Sequence, residues 1–172
     1  MSGNRRGSRR QWGWHPLHAD WAARIVERAG VRRGDLVLDL GAGDGALTAP
    51  LVQAGARVLA VELHDGRAAA LRDRFADADV TVLPLDLADL RLPTRPFRVV
   101  ANPPFGGSGD LVRTLMASRS LLTADLVLQR AAARRGAERG RVKRRHLHLG
   151  LALPRTAFRP PPRVDAAILQ IR

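Results

Sequence analysis

Asn102-Pro103-Pro104-Phe105 follows directly on the apolar run Phe97-Arg98-Val99-Val100-Ala101, so a carboxamide and an aromatic ring stand at a strand's end with a stiff dipeptide between them. Each proline pushes the residue before it out of the helical region. The carbonyls of Asn102 and Pro103 are thereby kept out of a helix ladder and stay available to a ligand. Together with Asn102 Oδ1 they suit the exocyclic amino group of a base, whose hydrogens need acceptors while its ring stacks on Phe105. The same tetrapeptide also serves as a plain strand-to-loop turn, so its chemistry depends on what accompanies it.

Upstream, Asp35-Leu36-Val37-Leu38-Asp39-Leu40 reads as a short buried strand running into Gly41-Ala42-Gly43-Asp44-Gly45 and the helix-like residues 46–52. Glycine there permits backbone angles that a side chain forbids and lets a ligand approach the main chain. A second strand, Arg57 to Val61, ends in Glu62, about 20 residues beyond the glycines, where an acid can accept both hydroxyls of a ribose. These features fit a nicotinamide cofactor as well as S-adenosylmethionine. A third strand, Val80 to Leu85, ends in Asp86, which suits either the amino group of a cofactor adenine or a cap on the turn Asp86-Leu87-Ala88-Asp89. The order favours S-adenosylmethionine: glycine turn, acid after strand two, acid after strand three, amide turn after strand four, each at a strand's carboxyl end, where open α/β sheets bind ligands.

On the segments 39–52, 61–63, 84–90, 102–105 and 158–172 the chain resembles the erythromycin-resistance (Erm) ribosomal RNA adenine N6-methyltransferases and the related KsgA dimethyladenosine transferases. The likeness spans residues 11 to 172 and lies in the combination, above all the glycine turn running into Ala46-Leu47-Thr48 and the terminal pattern Phe158-x-Pro160-x-Pro162-x-Val164-Asp165. It implies a Rossmann-like α/β fold of the class I S-adenosylmethionine-dependent kind. It implies that Gly41, Ala42, Gly43 and their backbone amides hold the methionine part of the cofactor, Glu62 and Leu63 the ribose, and Asp86 and Leu87 the adenine. Asn102, Pro103 and Phe105 would hold the target adenine, with Phe158 a second stacking surface. The usual leading segment of the family appears here as Trp14-His15-Pro16-Leu17, from which His15 and Leu17 are expected to reach the cofactor. Pro103 replaces the family's common leucine or isoleucine. No segment corresponds to the family's C-terminal helical domain, so a single catalytic domain over residues 12–172, of the short form, is expected.

Composition agrees with one compact, soluble domain. No apolar run approaches a membrane span, the arginine-rich N-terminus has no secretion-signal core, and the absence of cysteine excludes disulfides and thiolate metal sites. A cytoplasmic monomer without metal is expected. The 29 basic against 16 acidic residues give a net charge of +13, suited to a polyanion. Arg5, Arg6, Arg9 and Arg10 in a basic arm over residues 1–11, and Arg134, Arg135, Arg144 and Arg145 within the basic stretch 130–145, are candidate RNA contacts. His146 and His148 share a strand face, but with no third ligand nearby a metal pair is disfavoured.

The pattern predicts helices near 19–28, 45–54, 65–75 and 108–117 alternating with a mostly parallel sheet, a fifth strand near 124–128, and a C-terminal antiparallel hairpin of 147–153 and 164–171, seven strands in all. The resemblance implies methylation of an adenine in the peptidyl transferase loop of 23S rRNA, free or in an assembly intermediate, and resistance to macrolide, lincosamide and streptogramin B antibiotics. Rival readings are another nucleic-acid adenine methyltransferase, acting on small-subunit rRNA or DNA, a protein glutamine methyltransferase, and a non-catalytic RNA-binding factor that retains the fold.

Overall fold

The computed structural model describes residues 14–172, so the basic arm with Arg5, Arg6, Arg9 and Arg10 lies outside the described residues. Strands β1 (Leu36–Leu40), β2 (Arg57–Val61), β3 (Val80–Leu83), β4 (Phe97–Ala101) and β5 (Leu121–Gln129) pair in parallel in the order β3-β2-β1-β4-β5. The chain then returns through β6 (Arg141–Val142), β7 (Arg145–Leu153) and β8 (Ala166–Ile171). β8 inserts antiparallel between β5 and β7, and the two-residue β6 hangs on the edge of β7. With β6 the described sheet has eight strands, one more than expected, because Gly140 and Lys143, both at positive φ, turn the chain back onto β7.

β1 is buried at every position, as a strand covered on both faces must be. On one face Val37, Val58, Val100, Val127 and Ile168 meet helices α1 (Ala19–Ala29), α2 (Thr48–Gln53) and α3 (Asp65–Arg74). The alternate residues Leu38, Leu40, Val99, Leu126 and Leu169 meet α4 (Ser108–Ala117) and α5 (Arg130–Glu138) on the other. Helix α1 buries Ala22, Ile25, Val26 and Ala29, one stripe at helical spacing, and stops where Gly30 takes φ 65 and donates its N–H to the Glu27 carbonyl. Helix α2 is shorter than the sequence predicts. Gly41, Gly43 and Gly45 all adopt positive φ, the turn continues to Leu47, and Pro50 falls harmlessly in the helix's first turn.

Candidate active site

The carboxyl ends of β1, β2, β3 and β4 bring the candidate residues to one edge of the sheet. Two motifs far apart in sequence touch there. A Cβ built on Gly41, at φ 79, would lie 3.0 Å from Pro104 Cδ and 3.4 Å from Pro103 Cα. The glycine is required both for its backbone angle and because the amide turn rests on its bare Cα. A cleft lined by Trp14, Pro16, Leu17, Asp39, Gly41, Ala42, Asp44, Ala46, Leu47 and Asn102 joins the glycine turn to the carboxamide.

Asn102 is half-buried, and its Nδ2 donates to the His15 carbonyl at 2.8 Å. That bond fixes the amide and turns Oδ1 the other way. Among the described residues no donor reaches Asn102 Oδ1 or the Pro103 carbonyl; Asn102 lines the cleft, and Pro103 is buried. Phe105 is half-buried, its ring centroid 6.0 Å from that of His15.

The glycine turn is held from below and from the side. The amides of Gly41 and Ala42 donate to the Val61 carbonyl at 2.8 and 2.9 Å, and that of Gly43 donates to Glu62 Oε2 at 2.8 Å. Arg74 of α3 donates to the Asp44 carbonyl at 2.7 Å, and Phe75 covers Gly45. The expectation that the amides of Gly41 to Gly43 hold a ligand is thereby corrected, since they are spent inside the protein. Those of Asp44 and Ala46, which line the cleft, find no acceptor among the described residues.

Glu62 is 3% exposed, and besides Gly43 it accepts from the His64 amide at 2.8 Å and from Arg67 at 3.0 and 3.2 Å. Arg67 in turn stacks on Trp14, 4.5 Å from the ring centroid. Trp14 closes over the turn so tightly that a Cβ on Gly43 would meet its Nε1 at 2.5 Å. Glu62 therefore clamps the glycine turn, with both carboxylate oxygens accepting from protein donors. Asp86 accepts from the Ala88 amide at 3.0 Å, the capping role weighed against cofactor contact, and its other oxygen is unclaimed among the described residues. Leu63 and Leu87 are half-buried beside these acids.

Sequence reasoning passed over Asp39. It is fully buried on β1 and accepts from Thr48 Oγ1 at 2.7 Å, while its Oδ1 has no partner. Burial pushes its carboxyl up to about 7, against the lowering effect of the Thr48 hydrogen bond and with further raising by the nearby negative charges of Glu62 and Asp44. The signal was available as a charged residue inside an apolar strand, two residues before Gly41. An orphaned carboxylate oxygen in the wall of a cleft fits a cationic ligand group such as the ammonium of a methionine.

Other expectations need correction. Phe158 is 1% exposed and packed in the core with Leu17, Ile25, Leu153 and Ala157, because a bridge between Leu17 and Phe158 draws it under the leading segment. It offers no face to a base. His15 donates from Nδ1 to the Pro160 carbonyl at 3.0 Å, away from the cleft, and Trp14, Pro16 and Leu17 line the cleft instead. Arg145 spends its guanidinium on the carbonyls of Ser118, Leu121 and Leu122, holding the start of β5. Arg134, Arg135 and Arg144 are exposed. His146 and His148 stack 6.1 Å apart, and no group of three potential metal ligands occurs among the described residues. No helix among the described residues is long and apolar enough to cross a membrane.

The family model for ribosomal RNA adenine dimethylase matches residues 9–172. An rRNA adenine N-6-methyltransferase of Corynebacterium diphtheriae is 35% identical over 144 residues, covering 79% of this chain and 57% of that protein. The ribosomal RNA small subunit methyltransferase A of Thermosynechococcus vestitus is 34% identical over 188 residues, covering 96% and 69%. Among solved structures, the 23S rRNA methyltransferase ErmE superposes with a TM-score of 0.82 at 30% identity, covering 91% of this chain and 69% of that one. The chain thus spans little more than half the length of the Corynebacterium relative. With the fold, the motif order and these matches in agreement, the chain belongs to the ribosomal RNA adenine dimethylase family and is built to use S-adenosylmethionine.

Proposed function

We propose that this chain methylates N6 of an adenine in 23S rRNA, in the peptidyl transferase loop, and so confers macrolide, lincosamide and streptogramin B resistance. The observation that carries this reading is the contact of Gly41 with the Asn102-Pro103-Pro104 turn, which sets a free carboxamide oxygen beside the glycine turn in one cleft. When bound, S-adenosylmethionine supplies an electrophilic methyl group on a positively charged sulfur. Asp39, Asp44 and Ala46 would face its methionine part, and Glu62 and Asp86 its nucleoside.

The lone pair of the adenine N6 is delocalised into the ring and nucleophilic only once withdrawn from it. Asn102 Oδ1 and the Pro103 carbonyl accept the two N6 hydrogens and bias the nitrogen towards a pyramidal shape. With Phe105 stacked on the base, the lone pair would attack the methyl carbon, the N–CH3 bond forming as the S–CH3 bond breaks, so that sulfur would leave as the neutral thioether S-adenosylhomocysteine and the methylated nitrogen would release one of its hydrogens to water as a proton. As nitrogen gains positive charge, these fixed dipoles stabilise it more than a titrating base would. Alignment of the two reactants supplies much of the remaining acceleration. The adenine has to leave its stack to reach the turn, which favours a loop or distorted helix as substrate.

The name of the Thermosynechococcus relative supports a second target, an adenine of small-subunit rRNA. Incubation with labelled S-adenosylmethionine and each rRNA, followed by mass-spectrometric mapping, separates the two. Label at a single 23S adenine is expected. Label only in small-subunit rRNA selects the second reading, and label in neither overturns both.

A further inference from the structure

The basic stretch 130–145, continuous in sequence, is divided by the fold between the two ends of the sheet. Gln129 of β5 and Leu153 of β7 both pair with Ala166 of β8, whereas Ala124 and Leu147 both pair with Ile171. β5 and β7 therefore run the same way, and the loop 154–165 emerges at the same edge as Asn102. Arg130 begins α5 there, its amide donating to the Asp165 carbonyl at 2.9 Å. Arg139, Arg141, Lys143 and Arg144 lie at the opposite edge, beyond a strand of nine residues, or about 30 Å at the usual strand rise.

The loop is tied to the catalytic turn. The His15 carbonyl accepts from Asn102 Nδ2, and His15 Nδ1 donates to the Pro160 carbonyl at 3.0 Å. The Arg159 amide donates to the Pro16 carbonyl at 2.9 Å, and the His18 amide to the Ala157 carbonyl at 2.9 Å. Arg155, Arg159 and Arg163 project from this stitched, proline-stiffened segment. With Arg130 they are exposed and have no ion-pair partner among the described residues. Asp165, the loop's acidic residue, uses Oδ1 to accept from the Arg155 amide.

Resting on the RNA reading above, we propose that Arg130, Arg155, Arg159 and Arg163 grip the phosphates of the single-stranded nucleotides flanking the extruded adenine. The far cluster of Arg139, Arg141, Lys143 and Arg144 adds only general attraction. Phosphate contacts fix register without reading sequence. Contacts anchored to the segment that holds Asn102 therefore position the adenine, while the far-edge charge raises affinity at a distance, without contact.

The test compares the full chain with Arg159→Gln/Arg163→Gln and with Arg141→Gln/Arg144→Gln, using an RNA stem-loop that the wild type methylates. The loop pair is expected to weaken RNA binding about tenfold at moderate salt and to reduce the salt slope by about 1.4 to 1.8. It should also slow single turnover at saturating RNA, with S-adenosylmethionine affinity and unfolding temperature unchanged. Arg159→Lys/Arg163→Lys should restore most of the salt slope. The far pair should leave single turnover at saturating RNA as in the wild type. On the native protein, bound RNA should shield Arg159 and Arg163, but not Arg141 and Arg144, from an arginine-specific dicarbonyl reagent. Loop variants that bind and turn over as the wild type, or shielding confined to the far pair, would overturn the inference alone. A wild type that methylates no RNA overturns the functional reading instead.

Discussion

Asn102 engages half of its carboxamide: Nδ2 donates to the His15 carbonyl, and Oδ1 is left without a donor among the described residues, as the proposed transfer requires. Asn102→Ala should lower single-turnover methyl transfer by about 100- to 1,000-fold, the usual cost of a lost transition-state dipole. Calorimetry should show its S-adenosylmethionine affinity nearly unchanged. Glu62→Ala should do the reverse, weakening cofactor binding first, because it frees the Gly43 amide and Arg67 as well as removing the carboxylate. Asp39 makes a prediction in pH. Its folded carboxyl titrates near 7, and an unfolded one near 3.8. Between those values the folded chain holds a proton that the unfolded chain releases, so this group's contribution to stability is greatest below the lower value and falls as pH rises towards 7. Wild-type unfolding free energy should therefore drop relative to that of Asp39→Asn as pH rises from about 4 to 7, and level off above. A cationic cofactor beside the carboxylate draws it into the ionised form, so binding should tighten with rising pH over the upper part of that window, an effect absent from Asp39→Asn.

Between elements, Gly41 and Arg145 show two ways in which a strand end is fixed. Gly41→Ala would force a side chain to φ 79 and press it on Pro104, at about 1 to 2 kcal/mol for the backbone conformation alone. Denaturant unfolding should register that loss, and methyl transfer should fall further than stability does, because the amide turn is pushed off the glycine turn. Arg145 lies in the basic stretch but works as a clamp, joining the start of β7 to the end of α4 and the start of β5 through three carbonyls. Arg145→Ala should cost about 1 to 3 kcal/mol of unfolding free energy, as a charged hydrogen-bond donor does. RNA affinity and its salt slope should change little in the same variant.

Across the whole molecule, the charge of +13 is the property that a long polyanion senses first. Deleting residues 2–10 removes Arg5, Arg6, Arg9 and Arg10 and should make the salt slope of RNA binding shallower by up to about 3 to 4. Filter binding across a salt series measures it. An unchanged slope would rule the arm out as a phosphate contact. The strands β2 and β4 and helix α4 were legible to the residue, since each alternation or helical stripe is a local pattern closed by glycine, proline or charge. So was the order of the motifs along the strand ends, because a strand's carboxyl end, a glycine turn and an amide turn are written in neighbouring residues. Local patterns carry no information about what packs on a side chain from elsewhere in the chain. Phe158 looked like a stacking surface until Leu17 drew it into the core, and Asp39 looked like one more strand residue until burial left an oxygen unpaired. A basic stretch continuous in sequence became two surfaces once β8 inserted between β5 and β7. Residue type and spacing thus determined the elements and the chemistry on offer. Burial and strand direction depend on partners distant in sequence, so only the tertiary structure decided which candidate groups face the cleft, which hold the scaffold, and which arginines lie at the sheet edge that carries Asn102.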